Sequence, residues 1–434
     1  MVRVRQILRV TAVLLVFALV AAACGDSGTT TTAPATTEAP ATTQAPATTQ
    51  APATTQAPAT TQAPATTQAP ATTQAPATTQ APATTQAEAS QKEICIAEAE
   101  KGVEEGRTPI TAKVPTDAID VSSIQGSEIW AVFGVLFDEG GRLTADAVEE
   151  AGEVIGFDVR ILDGLGNPEE WNTLITRAVA AEADAIIIFG IDPDLVAPSL
   201  AEALAAGIPV ISGGGENAGA PPRADVYVDM TADLARDGKI MADYVLAAMG
   251  CEGPVALINS SLFKVAVAMN EGIMGEFARL CPTDCELIYE EINLADMAVS
   301  LPVQAAAVVQ TNPDIDWLIP AFDVFAFFVH QGLEEAGITH VRTVSHDGAF
   351  ANLDVIRAGG PQVATMAWSP QDYRGWVLID EVARALLGLP PDLDEALLIN
   401  QLLDMTNLGP DNDFTTNFPG MTGFREAYKA IWGV

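Results

Sequence analysis

The sequence predicts an α/β fold of two doubly wound lobes, each a mostly parallel sheet with helices on both faces. Apolar, strand-like runs alternate with segments of helical periodicity from residue 129 onward. The run DAIIIF at 184–189 is too apolar for a sheet with one face in water. A break at 228–230 divides the alternation into two sets of similar length, so we expect two lobes.

The first set has strands and helices in strict alternation. Its first helix ends at Gly156, because glycine adopts the left-handed conformation of a C-cap without strain. The second begins at Asn167, a suitable N-cap, with Pro168 at the first helical position. The predicted strands are 129–137, 158–162, 184–189 and 210–212, and the predicted helices are 144–155, 167–182 and 194–206.

The second set repeats the pattern and predicts a ligand cleft. Ligands of open α/β sheets bind beyond the carboxyl ends of the strands, so two lobes that face each other form a cleft there. The predicted strands of this set are 255–259, 286–289, 317–321 and 341–345, and its predicted helices are 231–249, 265–280, 298–310 and 324–336.

The chain begins with a predicted lipoprotein signal peptide at 1–23. Three arginines precede the apolar run 11–23, which is long enough for a signal peptide and short for a membrane span of about 20 residues. The small residues before Cys24 resemble the lipobox of bacterial lipoproteins, in which the cysteine is lipidated, although Ala21 stands where lipoboxes usually have leucine. A plain secretory signal with a chance cysteine is the alternative.

Residues 24–92 are predicted to be a disordered tether. The hexapeptide APATTQ repeats from Ala39 to Gln86 and has no apolar period with which to form a core. Its regular prolines favour extended polyproline-type structure, which spans on the order of 150 Å when fully stretched. We interpret the segment as a spacer through a thick cell wall or as a plain flexible linker. O-glycosylation of its threonines is a hypothesis.

Composition excludes some classes of function. The chain has 57 acidic and 21 basic residues, a formal charge of −36 that repels nucleic acid. Four cysteines follow Cys24, and an even number in an oxidising compartment predicts two disulfides. Three connectivities are open, one of which closes a short C-x3-C loop. A zinc site is the alternative, but no histidine has ligand spacing to a cysteine pair. The four cysteines are Cys95, Cys251, Cys281 and Cys285.

Residues 129 to about 402 resemble the type I periplasmic binding proteins of the ribose and galactose group. The resemblance rests on the order and spacing of several motifs rather than on any one of them. These motifs are DAIIIF at 184–189, AAGIPVI at 205–211, PAFD at 320–323 with GLEEAG at 332–337, VSHDG at 344–348, and ATMAW at 364–368 with Gly375.

The resemblance implies Rossmann-like lobes joined by a three-segment hinge, with crossovers near Asp229, Ser369 and Asn400 and closure on the ligand. It also implies a monomeric extracytoplasmic receptor without cofactor, metal or catalytic residues, which delivers a sugar, polyol or related molecule to an ABC permease. Lipidation would anchor it to the outer face of the cell membrane. The implied parts are an extension at 93–126, a first lobe at 127–229 plus about 370–399, and a second lobe at 230–369 plus about 400–434.

Candidate ligand contacts are carried over from the family residue by residue. Asp347 matches the carboxylate that hydrogen-bonds sugar hydroxyls, with a helix N-cap as its alternative role. Phe322 stands where the family usually has an asparagine, and Asp323 matches the aspartate after it, with a mainly structural role as its alternative. Trp368 stands at a position that is often polar, where an indole suits stacking on a sugar ring or packing in the hinge. His346 stands at a position that is often aromatic.

Other family contacts to ribose or glucose are missing. GGGE at 213–216 replaces an Asp-Arg pair, and Val267 replaces an arginine. We expect carboxylates to line the cleft instead, which favours a polyol, an amino-containing or a cationic ligand. The glycine run also fits a phosphate loop, but no Lys-Ser/Thr pair follows it, so a permissive turn is favoured. The further candidate contacts are Asp138, Glu216, Asp296 and Lys264.

Two other functions are weighed against a transport receptor. A hydrolase needs a nucleophile with a base or paired carboxylates, and Asp138 and Asp347 are such a pair if they face each other across the cleft. A sensory receptor that presents its ligand to a chemotaxis or kinase partner requires the same fold. A transcription repressor with a similar core is excluded, because a signal and a tether stand where a basic helix-turn-helix is needed.

Overall fold

The computed structural model describes residues 90–261, 263–293 and 296–434. The predicted signal peptide, Cys24 and the APATTQ repeats lie outside the described residues. The described chain contains two sheets of six strands each, which confirms the predicted α/β fold of two doubly wound lobes. Among the helices of the described chain, none is both long enough and apolar enough to cross a membrane.

The first lobe is a six-stranded sheet with the helices that pack on it, and helix α1 (Gln91–Arg107) precedes it. All strand pairs of this sheet are parallel, and the strand with the sequence AIIIF is buried throughout, as expected when helices cover both faces. The strands are β1 (Glu128–Phe133), β2 (Asp158–Asp163), β3 (Ala185–Phe189), β4 (Val210–Gly213), β5 (Val228–Ala232) and β11 (Leu397–Leu398), in the order β11-β5-β4-β3-β1-β2, and the helices between them are α2 (Glu139–Ile155), α3 (Pro168–Ala180) and α4 (Ala197–Ala206).

The second lobe has the same architecture with one antiparallel edge strand. Its last strand in the chain runs antiparallel to its neighbour, and the other pairs are parallel. The strands are β6 (Gly253–Asn259), β7 (Cys285–Glu291), β8 (Trp317–Pro320), β9 (Arg342–Asp347), β10 (Gln362–Ala367) and β12 (Gln401–Asp404), in the order β12-β10-β9-β8-β6-β7, and the helices are α5 (Leu234–Met249), α6 (Lys264–Leu280), α7 (Met297–Thr311), α8 (Asp323–Glu335) and α9 (Phe350–Arg357).

The chain passes between the lobes three times. It leaves the first sheet after β5, since α5 packs on α6 of the second lobe. It returns between β10 and helix α10 (Gln371–Leu386), which packs on α2. The third passage lies between β11 and β12, which belong to different sheets, and a short helix α11 (Leu393–Ala396) precedes it. The boundary expected at residue 229 falls inside β5, because that strand completes the first sheet.

The N-terminal extension joins the second lobe covalently. Its helix α1 starts with a capping box at Ser90 and packs against α5. A disulfide links Cys95 of α1 to Cys251, which follows α5, and a second disulfide links Cys281 to Cys285. The structure therefore has the connectivity with one short loop. Because the four sulfurs form two disulfides, they are not available as zinc ligands.

The segment after α1 passes along the crossovers to the first lobe. The hydroxyl of Tyr373, near the start of α10, donates to the carbonyl of Lys113 at 2.6 Å. Further on, the amide of Ile119 donates to the carbonyl of Ile431 at 2.8 Å. The extension thus contacts the second lobe through α1 and the C-terminal helix through Ile119.

The C-terminal residues differ from the sequence-based expectation. A short helix, α12 (Phe414–Asn417), is followed by α13 (Phe424–Trp432), and α13 packs on α10 of the first lobe. The rings of Trp376 and Trp432 are parallel with centroids 5.3 Å apart, and Trp432 Nε1 donates to buried Asp380 at 2.6 Å. The placement of all of 400–434 in the second lobe is therefore wrong for α13, although β12 does join the second sheet.

Candidate functional site

Charged and aromatic side chains from both lobes meet at the carboxyl ends of the strands. Asp138 lies between β1 and α2, Asp347 ends β9, and Trp368 follows β10. Arg374, near the start of α10, is within electrostatic range of both carboxylates. We call these four residues the cleft cluster. Three of them were candidate contacts from the sequence, and Arg374 was not.

Asp347 is the member of the cluster with a strained backbone. Its φ angle is +130°, in a region that residues with a side chain rarely occupy. Such strain costs on the order of 1–3 kcal/mol and persists only where the surroundings enforce it, typically at ligand-binding sites. One carboxylate oxygen accepts a hydrogen bond from Trp368 Nε1 at 3.0 Å, and the side chain is 30% exposed. Asp347 is therefore held in position and still open to a ligand.

His346 supports Asp347 from the buried side. Its ring is fully buried, with Nε2 3.2 Å from Asp237 Oδ2 and Nδ1 3.4 Å from Asp347 Oδ1. Burial lowers the pKa of His346, but the hydrogen bonds and charges of the two aspartates outweigh it and raise the pKa to about 9. The imidazolium is thus the favoured form at neutral pH. The expected ligand contact of His346 is replaced by a role behind Asp347, because no part of the ring reaches the surface.

A hydrogen-bond chain connects His346 to the hinge. Asp237 of α5 accepts from Asn400 Nδ2 at 2.5 Å, and Asn400 lies in the third crossover. The amide oxygen of Asn400 accepts from the backbone of Ser369, in the second crossover, at 3.0 Å. The position of Asp347 is therefore coupled through His346 to two of the three hinge segments.

Arg374 is the member of the cleft cluster that was not among the sequence-predicted contacts. It is only 4% exposed, and its guanidinium carbon lies 4.7 Å from the ring centroids of both Phe189 and Trp368. Burial lowers the pKa of Arg374 to about 10, although the negative charges of Asp347 and Asp138 act to raise it. Its Nε has no hydrogen-bond partner among the described residues. The available signal was weak: one arginine directly before Gly375 of the family motif, at the start of a largely apolar helix.

Asp138 belongs both to the cluster and to a helix cap. Its Oδ1 accepts from the amide of Gly141 at 2.8 Å, which caps α2. Burial raises the pKa of Asp138, the cap bond lowers it, and the charge of Asp347 raises it further. The neighbouring Glu139 accepts from the amide of Phe350 at 3.1 Å, so α2 of the first lobe touches α9 of the second.

Glu216 and Lys264, both candidate contacts, bind each other across the cleft. Lys264 at the start of α6 donates to Glu216 at 2.8 Å, to Asp192 at 2.9 Å and to Asp194 at 2.6 Å. The three carboxylates follow strands of the first lobe, and one oxygen from each lies within 4.8 Å of the others, which resembles a metal site. The ammonium of Lys264 already supplies a cation to all three.

The other candidates lie at the edge of the cluster or beneath it. Asp323 is fully buried, and its oxygens accept from Ser345, Gln362 and the amide of Ala349. These bonds hold β9 and β10 to α8, which agrees with the structural alternative for Asp323 rather than with a ligand contact.

Phe322 and Asp296 are the remaining candidate contacts. Phe322 is partly buried and makes edge-to-face contacts with Phe325 and Phe263. Asp296 is exposed before α7, where it accepts from Ser300 at 3.3 Å. No contact among the described residues joins Asp296 to the cleft cluster.

The glycine run 213–216 forms a close-packed turn. Gly214 has a φ of +68°, and a Cβ on Gly215 would lie 2.6 Å from the carbonyl oxygen of Ile191. Both positions therefore require glycine for conformational and steric reasons, which accounts for the run without a phosphate.

Family comparison points to binding proteins. A family model described as a periplasmic binding protein domain matches residues 134–390 of the chain. A second model, described as a trappin protein transglutaminase binding domain, matches 34–63 and 58–87, which are the threonine- and proline-rich repeats outside the described residues.

Individual relatives agree with the first model. The chain is 24% identical over 282 residues to the D-apiose import binding protein of Actinobacillus succinogenes, covering 63% of this chain and 87% of that protein. An ABC sugar transporter subunit from Rhodobacter sphaeroides has a TM-score of 0.58 at 20% identity, covering 65% of this chain and 100% of that one. A solute binding protein from Agrobacterium vitis with bound allitol has a TM-score of 0.58 at 19% identity, covering 64% and 96%.

Proposed function

The chain belongs to the periplasmic binding protein family, and from that premise we propose that it is the solute receptor of an ABC-type importer for a sugar or sugar-like polyol. The ligand is captured between the lobes and passed to a permease in the membrane. The names of its relatives support this class of ligand, since one is named for D-apiose import and another was solved with allitol.

The observation that carries the proposal is the strained, partly exposed carboxylate of Asp347 beside Trp368. A carboxylate accepts hydrogen bonds from ligand hydroxyls, and an indole packs on the apolar face of a sugar ring. Because Asp138 and Arg374 belong to the first lobe and Asp347 to the second, one ligand that touches these residues stabilises the closed arrangement of the lobes.

The protein binds its ligand and does not convert it chemically. The carboxylates of the cluster already have positional tasks, since Asp138 caps α2 and Asp347 accepts from Trp368. A hydrolase would need one of them free as a nucleophile and the other as an acid. Recovery of an unchanged sugar after prolonged incubation with the protein is the expected result, and release of a hydrolysis product would contradict it.

We further propose that lipidation of Cys24 anchors the receptor to the outer face of the membrane. The basic start, the apolar run and the small residues before Cys24 support this. Metabolic labelling with an alkyne fatty acid should mark the wild-type protein and leave Cys24→Ser unlabelled. Labelling of both to the same extent would remove the anchor from the proposal.

A thermal-shift panel tests the receptor function. The mature chain with Cys24→Ser is heated with D-apiose, D-allose, allitol, myo-inositol and D-tagatose in turn. A ligand at about 100 times its Kd stabilises the fold by about 2.7 kcal/mol, which raises the Tm by a few degrees. Asp347→Ala should remove the shift, whereas Asp314→Ala, an exposed aspartate in a loop, should keep it. No shift with any sugar or polyol, despite a cooperative transition, would refute the function.

A further inference from the structure

The Nε of the buried Arg374 guanidinium lacks the hydrogen bond that burial normally requires. The guanidinium has five N–H donors in one plane, and its Nε–H has no hydrogen-bond partner among the described residues. Its interactions with Asp138 and Asp347 are through charge alone. An unpaired buried donor costs about 1–3 kcal/mol, and a charged one more. A site that retains such a group is suited to a ligand that supplies the acceptors.

The surroundings of Arg374 restrict how a ligand reaches it. The rings of Phe189 and Trp368 both lie against the guanidinium, at 4.7 Å from its central carbon. An aromatic ring that packs on the face of a guanidinium leaves the donors at its edge for acceptor oxygens. Trp368 also donates to Asp347 at 3.0 Å, which places a fixed carboxylate acceptor next to these donors.

The charges of the cleft cluster discriminate between three kinds of sugar. Arg374 requires an acceptor, whereas Asp138 and Asp347 require donors. A hydroxyl group serves both, because it accepts through oxygen and donates its proton. A ligand carboxylate accepts from Arg374 but offers no donor to the two aspartates and is repelled by them. A ligand ammonium donates to the aspartates but has no acceptor for Arg374.

We infer that Arg374 is a ligand-binding residue and that, with Asp138 and Asp347, it selects neutral, hydroxyl-rich ligands over sugar acids and amino sugars. The inference rests on the proposed receptor function. It narrows the ligand classes expected from the carboxylates alone, since Glu216 is paired with Lys264 and Arg374 opposes a cation.

Matched sugars test the selectivity. The mature chain with Cys24→Ser is titrated by calorimetry with the neutral hits of the thermal panel, with D-galactose, D-galacturonate and D-galactosamine, and with the D-glucose, D-glucuronate and D-glucosamine set. Neutral members should bind at least about tenfold more tightly than their charged counterparts. Preference for an acid or an amine would overturn the inference and leave the receptor function standing. A folded protein that binds no member of any set overturns both.

Substitution separates ligand binding from packing. Arg374→Met should weaken neutral sugars by about 10- to 100-fold and move the remaining preference towards the amino sugar, because two carboxylates are then left without an opposing charge. Arg142→Met, which removes an exposed arginine of α2, should change neither. Equal weakening of neutral, acidic and basic sugars in Arg374→Met would assign Arg374 a packing role and refute the inference. If Arg374→Met does not fold, Arg374→Lys and the wild-type charge series decide the question.

Discussion

Lys264 of the second lobe donates to Glu216 of the first lobe at 2.8 Å and joins the two lobes on the side of the cleft formed by the loops after β3 and β4. The same ammonium contacts Asp192 and Asp194 of the first lobe. Opening the cleft must break all three ion pairs. The closed arrangement is therefore stabilised by the protein itself, in addition to any ligand.

Removal of this ammonium should favour the open arrangement. Lys264→Met leaves Asp192 and Glu216 of the first lobe without this cation, while Asp194 keeps its ion pair with Arg223. Closure therefore loses its ion pairs to Lys264 and gains no substitute. The side chains are 34% exposed for Lys264 and 60% for Asp194, so solvent screens the pairs and each contributes at most about 1 kcal/mol. Small-angle scattering should report a larger radius of gyration without ligand. Ligand affinity should fall by at most about 100-fold, because the three pairs together contribute at most about 3 kcal/mol.

Salt and a matched control distinguish this effect from a general loss of charge. The affinity difference between wild type and Lys264→Met should shrink at high ionic strength, because exposed pairs are screened. Lys429→Met removes a lysine whose ion pair lies within one helix, and it should leave the scattering curve unchanged. Identical curves for wild type and Lys264→Met would show that these pairs do not hold the lobes together.

Protonation of His346 should make stability depend on pH. Its folded pKa of about 9 exceeds the ordinary value of 6.5, so its contribution is complete below about pH 6.5 and is lost as the pH rises through 9. Between pH 6 and 9.5, the free energy of unfolding should fall by up to about 3 kcal/mol more in wild type than in His346→Gln. Urea unfolding at each pH measures the difference, and parallel pH profiles for the two proteins would contradict the assignment.

The three histidines allow a direct check by NMR. His346 should still be protonated at pH 8. His330 should be neutral at pH 6, because burial lowers its pKa to about 4. Titration of the His346 ring near pH 6.5 would show that Asp237 and Asp347 do not hold its proton.

The strands and the edge of the site could be predicted from the sequence because short-range pattern encodes them. Apolar runs give the strands, and VSHDG places Asp347 at the end of β9. The place of Arg374 in the site could not be predicted, because it depends on contact with Phe189, which is 185 positions away in the sequence. The pairing of Lys264 with Glu216 likewise requires both lobes to be assembled, and the sequence alone does not distinguish a lysine on a solvated surface from one in a cleft.

The two disulfides should differ in their effect on stability. Cys95 and Cys251 are 156 residues apart, whereas Cys281 and Cys285 are 4 apart. In the chain-entropy account, closing the long loop is worth about 5 kcal/mol and the short loop about 2 kcal/mol, and measured values are usually smaller. The Cys95→Ser/Cys251→Ser protein should therefore have a lower Tm than the Cys281→Ser/Cys285→Ser protein. The reverse order would indicate that α1 docks on α5 without help from its disulfide.

The terminal helix should be part of the first lobe's stability. Trp432 is 2% exposed, stacks on Trp376 and donates to Asp380. Trp432→Ala removes the stacked ring and leaves a buried carboxylate without that donor, so we expect a loss of about 3–5 kcal/mol in urea unfolding. Val434→Ala, at an exposed neighbouring position, should cost less than about 0.5 kcal/mol.

If α13 instead belonged to the second lobe, as the family pattern implied, contact with α10 would not matter. Trp376→Ala and Trp432→Ala would then be additive, whereas their direct stacking predicts that the double variant loses less than the sum of the two.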